Sequence, residues 1–97
     1  TATTQVLLNA LVRGDDAWRA VSRGRVHHQW VPHVLEVEEG FDERYAGLGV
    51  EMWMRKVHHR VVKAKPSEVA SVQLIVRREG KLEAACDPRK GGAPAGE

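Results

Sequence analysis

The stretch VASVQLIVRREGKLEAACD, Val69 to Asp87, decides that this chain contains a sheet. Ala70, Val72, Leu74 and Val76 fall at every second position and so share one face of an extended strand. Glu79-Gly80 interrupts the pattern with a residue that tolerates positive φ, and a second run begins at Lys81. Two runs joined by such a pair predict a β-hairpin. Beyond it, PRKGGAPAGE (Pro88 to Glu97) is rich in Gly and Pro and predicts no regular structure.

The other end of the chain reads as helix. TATTQVLLNALVR (Thr1 to Arg13) offers Thr1, Thr3 or Thr4 as caps and Gly14 as a stop. Ala2, Val6, Leu7, Leu8, Ala10, Leu11 and Val12 run nearly all the way round it, so this helix calls for burial on more than one side. Asp15 or Asp16 then caps a second, shorter helix carrying Ala17, Trp18, Ala20 and Val21. Arg13-Gly14-Asp15 matches an adhesion tripeptide, but it falls at the junction of two helices, where the helix-stop reading is preferred.

Between the ends, RVHHQWV (Arg25 to Val31) alternates, placing Val26, His28 and Trp30 on one strand face, and Pro32 stops it. VLEVE (Val34 to Glu38) predicts a short strand with Leu35 and Val37 inward and Glu36 and Glu38 outward. After Gly40, Tyr45, Leu48, Met52, Trp53 and Val57 recur at helical spacing, with Glu51 and Arg55 as an i,i+4 ion pair and Gly47 and Gly49 weakening the first half. HHRVVKAK (His58 to Lys65) predicts a strand and Pro66-Ser67 a turn. The result is a mixed α/β (α+β) chain with two N-terminal helices, mostly antiparallel strands and a C-terminal hairpin. Sheet edges without partners and an apolar first helix predict neighbours outside these residues.

Composition narrows the function classes only a little. A chain of 97 residues suits one small domain, which buries roughly 65% of its extended surface. Fifteen Lys and Arg against thirteen Asp and Glu leave a net +2 spread along the sequence, without the basic cluster that nucleic-acid binding uses. No run is long enough to span a bilayer as a helix. Cys86 is the single cysteine, and beside Asp87 it reads as a small residue closing a strand rather than a reactive thiol.

Five histidines invite a metal-site reading. Adjacent residues on a strand point to opposite faces, so His27 and His28 cannot both join one site, nor can His58 and His59. One of each pair together with His33 is geometrically possible but follows no ligand-spacing motif. The preferred reading is hydrogen-bonded structural histidines and no metal. Thr1 resembles a free N-terminal nucleophile, yet it opens an apolar helix, and Trp18, Trp30 and Trp53 are read as core residues. No catalytic, substrate-binding or metal-ligating residue is assigned, and no cofactor.

Taken in order, TATTQVLLNAL (1–11), AVSRGRVHHQWVP (20–32), Val37, Glu38, Gly40 and Phe41 of an acidic VE-x-GF stretch, and VASVQLIVRREGKLEAACDPRKGGAPAG (69–96) resemble the final part of the gamma-glutamyltransferase (glutathione hydrolase) family. The match is loosest over 42–65. HHR and the RKGG-x-PAG ending look closer to its animal branch. Gly24, His33 and Glu97 depart from the family pattern, which usually has Pro, Asp or Asn, and an aromatic residue there. The resemblance implies residues 1–97 as a C-terminal segment of the small (light) subunit within a four-layer αββα N-terminal-nucleophile hydrolase fold. Its parent would cut itself from a precursor and cleave the γ-glutamyl bond of glutathione through an upstream threonine, passing the acyl group to water or amino acids. Implied partners are the upstream part of the small subunit and the large subunit of the same precursor, with no nucleic acid, and an extracellular or membrane-anchored location. By this reading the chain is scaffold; a non-catalytic assembly domain or a histidine-based metal module are the alternatives.

Overall fold

The computed structural model describes residues 1–41 and 49–96. Contacts divide the chain into two units, one of Thr1 with Arg23–Val69, the other of Ala2–Ser22 with Ala70–Glu97. The second is built from two widely separated segments.

In that unit, helix α1 (Ala2–Leu11) follows Thr1 and ends as expected near Gly14, whose φ of 75° lies in the left-handed region. The Leu8 carbonyl accepts from both the Val12 and the Arg13 amides, so the closing turn widens from an i→i−4 to an i→i−5 bond as the helix ends. Asp16 caps α2 (Ala17–Ser22): its Oδ1 accepts from the Arg19 amide at 2.7 Å. The hairpin comprises β4 (Leu74–Arg78) and β5 (Lys81–Ala85), antiparallel with Leu74 opposite Ala85 and Arg78 opposite Lys81. Val6, Ala10, Ala17, Ala20, Val21 and Ala85 form the core, and Val72, Leu74 and Val76 pack against it. Mostly alanines and valines, these residues let helices and hairpin approach closely.

The first strand is shorter than its alternation predicts, because the Val72 amide donates to Asp87 Oδ2 at 3.0 Å. A 3-10 turn at Pro88–Lys90, capped by Asp87, opens the tail, for which the Gly and Pro content predicts no regular structure. Glu79 and Gly80, at φ 49° and 79°, make the two-residue turn with both central residues left-handed. Gly80→Ala meets no side chain but forces an L-residue to hold that φ, so thermal unfolding is expected to show a loss of about 1–2 kcal/mol.

The other unit holds a three-stranded sheet, β1 (Val26–His27), β2 (Leu35–Glu38) and β3 (Val61–Ala64), in the order β1-β2-β3. β1 and β2 are antiparallel; β2 and β3 are parallel, with Leu35 opposite Val61. Helix α3 (Val50–Lys56) begins at Gly49. Leu35, Val37, Phe41 and Val61 form the core, with Val26, Val50 and Met54 beside them. The inward face of α3 is therefore Val50 and Met54; Met52, Trp53 and Val57, expected inside, are exposed. Tyr45, Gly47 and Leu48 of the same expectation, and Glu97, lie outside the described residues.

Two further corrections concern the strands. The expected seven-residue strand ends at His27, because Trp30 takes φ 72° and gives its amide to His28 Nδ1 while the Val31 amide turns back to Gln29. Glu38, expected outward, is buried, and its Oε2 accepts from the Arg25 amide at 2.9 Å. Glu51 forms the expected pair with Arg55 at 3.1 Å and also meets Lys63. Lys63 first and Arg55 second hold its carboxyl below the ordinary value, a stabilisation present at neutral pH and lost as pH falls through that lowered value.

Candidate functional site

The described residues bring three imidazoles to one end of the sheet. His28 lies one residue past β1, His33 two residues before β2, and His59 two residues before β3. The parallel register sets Leu35 beside Val61, so the two positions upstream, His33 and His59, arrive together. Antiparallel pairing of β1 with β2 delivers His28 to the same end. One nitrogen from each ring lies within 4.8 Å of the others. His28 meets His33 and His59 edge-on at 5.1 and 5.6 Å, while His33 and His59 stack at 5.7 Å.

Their hydrogen bonding differs from the expected one. His28 Nδ1 accepts from the Trp30 amide at 3.0 Å, but His28 Nε2 and His59 Nδ1 are buried without a partner. Such buried, unsatisfied nitrogens are costly and call for an explanation. His27 does follow expectation: its Nδ1 lies 2.6 Å from Thr1 Oγ1 and its Nε2 3.1 Å from Gln29 Oε1. Thr1 itself is exposed at the surface.

The second polar centre ties the helices to the hairpin. Asp87 is fully buried and accepts from the amides of Val72 and Arg89 and from the Arg89 guanidinium at 3.0 Å. Arg89 also donates to the Val21 carbonyl at 2.9 Å. Arg78 reaches the carbonyls of Ala10 and Asp15 at 2.7 and 2.8 Å, satisfying one carbonyl that the last turn of α1 leaves open and one in the connection to α2. Glu83 accepts from the Ala17 amide at the start of α2. These contacts are structural.

Cys86 is half-buried. The three tryptophans, expected in the core, are exposed: Trp18 at 56%, Trp30 at 73% and Trp53 at 57%. Leu8 at 51% and Leu11 at 71% are exposed with them, leaving much of α1's apolar surface uncovered by this chain. No helix among the described residues is long and apolar enough to cross a membrane.

The family model described as Gamma-glutamyltranspeptidase matches residues 1–97. The chain is 29% identical over 89 residues to a glutathione hydrolase proenzyme of Escherichia coli K12, covering 92% of this chain and 14% of that protein. It is 28% identical over 97 residues to glutathione hydrolase proenzyme 2 of Schizosaccharomyces pombe, covering 98% and 15% respectively. Gamma-glutamyltranspeptidase from Pseudomonas nitroreducens complexed with L-DON superposes with a TM-score of 0.78 at 25% identity, over 99% of this chain and 48% of that one. An acivicin-inhibited gamma-glutamyltranspeptidase, whose structure is described as revealing critical roles for its C-terminus in autoprocessing and catalysis, gives 0.71 at 25%, over 93% and 47%. The chain thus spans about one-seventh of its curated relatives and about half of the solved chains it resembles.

Proposed function

Because the chain belongs to the gamma-glutamyltranspeptidase family, we propose that it is the C-terminal supporting segment of that family's small subunit and carries no chemistry of its own. The parent would be a glutathione hydrolase that transfers γ-glutamyl groups to water or amino acids, with the attacking threonine upstream. The observation that carries this reading is the open apolar surface of α1 at Leu7, Leu8 and Leu11, continued by Val12 just past its end. A helix of this length is not stable alone, and exposing four large aliphatics to water is unfavourable by roughly 25 cal/mol per Å². The upstream small subunit and the large subunit of one precursor are the cover this surface suits. The HHR stretch and the RKGG-x-PAG ending support an animal-type parent.

In this role the segment acts through rigidity. Catalytic donors stabilise a developing charge only if held fixed. A helix pinned at its end by Arg78 supplies such a support to whatever loop precedes it.

The test is release of chromophore from a γ-glutamyl anilide by the 97-residue chain and by Thr1→Ala. Neither should exceed background. Turnover by the unaltered chain that disappears in Thr1→Ala would make Thr1, already hydrogen-bonded to His27, a nucleophile and overturn the scaffold reading.

A further inference from the structure

We propose that His28, His33 and His59 form a binding site for one divalent transition-metal ion of the zinc, cobalt, nickel or copper type. The inference stands apart from the γ-glutamyl reading, since all three residues belong to the sheet unit and none is placed in that chemistry.

Three imidazoles with an open fourth position are a donor set that borderline metals favour and that calcium or magnesium, which take oxygen ligands, do not. Nitrogens on a tetrahedral ion at about 2.0–2.1 Å stand about 3.4 Å apart. The set here lies within 4.8 Å, so it has to tighten by about 1 Å or more. His33 is the residue able to move: it is exposed, in the segment just before β2, whereas His28 and His59 are half-buried. The buried nitrogens of His28 and His59 then acquire a purpose, because a metal bond would satisfy groups that no hydrogen bond reaches.

The proton balance is specific. With Nδ1 of His28 accepting from the Trp30 amide, a neutral ring carries its proton on Nε2. Coordination through Nε2 moves that proton to Nδ1, and the Trp30 amide exchanges its acceptor for water, which the exposure of Trp30 permits. His33 and His59 coordinate as neutral rings. Trp30 also lies edge-on to His33 at 5.5 Å, so its indole reports on an ion held there.

The experiment is Co²⁺ titration of the full chain, followed by visible absorption and tryptophan fluorescence, with circular dichroism to check each variant's fold. The unaltered chain should take up one Co²⁺ with a tetrahedral-type spectrum and quenching that is lost in Trp30→Phe. His33→Ala and His59→Phe should each weaken binding by more than the roughly 10- to 100-fold that follows loss of an outer-shell partner. His27→Ala and His58→Ala should bind as the unaltered chain does. His33→Ala changes an exposed side chain, so it carries the test even if His59→Phe unfolds. No uptake by the unaltered chain, or equal loss across all four histidine variants, would overturn the proposal.

Discussion

Asp87→Ala is expected to remove about 3–5 kcal/mol from the folding free energy, out of a total of about 5–15 kcal/mol for a chain of this size. The magnitude follows from what stays behind. Arg89, whose side chain is 2% exposed, would keep its charge out of water with its carboxylate partner gone. The Val72 and Arg89 amides would lose their acceptor as well. Leaving one member of a buried pair costs far more than the pair's net contribution. Urea unfolding followed by far-ultraviolet circular dichroism reads the effect directly. A loss under about 1 kcal/mol would mean that water reaches Arg89 readily and that the pair is only a surface contact.

Glu38→Ala is expected to cost about 2–4 kcal/mol in the same measurement, from a buried amide left without its acceptor and from the cavity that truncation opens. Glu36→Ala, one residue before its neighbour Val37 and solvent-exposed, provides the contrast and should change stability by less than about 0.5 kcal/mol. Equal effects from the two would remove the special standing of Glu38. The Glu38–Arg25 pairing is reciprocal: the Glu38 amide also donates to the Arg25 carbonyl, so side chain and backbone close the same junction twice.

Where local chemistry decides structure, the sequence was readable. Glu79-Gly80 makes its turn, Asp16 caps its helix, Gly14 ends the one before, and Glu51 pairs with Arg55, because each depends on residues within four positions. Family membership was readable too, from ordered motifs that the whole-chain match supports. What failed needed distant information. Glu38 alternates like an outward residue, and only the Arg25 amide across the sheet explains its burial. The exception is local: Trp30 alternates like a strand residue, and periodicity does not register that the His28 ring, only two positions away, captures its amide. Trp18, Trp30 and Trp53 are apolar enough for a core, but no periodicity reveals whether the covering surface belongs to the same residues. The convergence of His33 and His59 requires that β2 and β3 be parallel and that Leu35 face Val61, a register that composition cannot supply.

The unit that joins Ala2–Ser22 to Ala70–Glu97 has a consequence for the order of events on the ribosome. Its helices are made before its hairpin, with Arg23–Val69 of the sheet unit synthesised in between. At about 5–20 residues per second, α1 and α2 wait several seconds for the strands that bury Val6, Ala10 and Val21. Closing so long a loop adds an entropic barrier before any contact repays it. During that interval the helices are open to chaperones, to proteases and to other nascent chains. A stop after Ala85 would leave both strands made but unlocked, since Asp87 and Arg89, which tie the hairpin end to the Val72 amide and the Val21 carbonyl, would be missing.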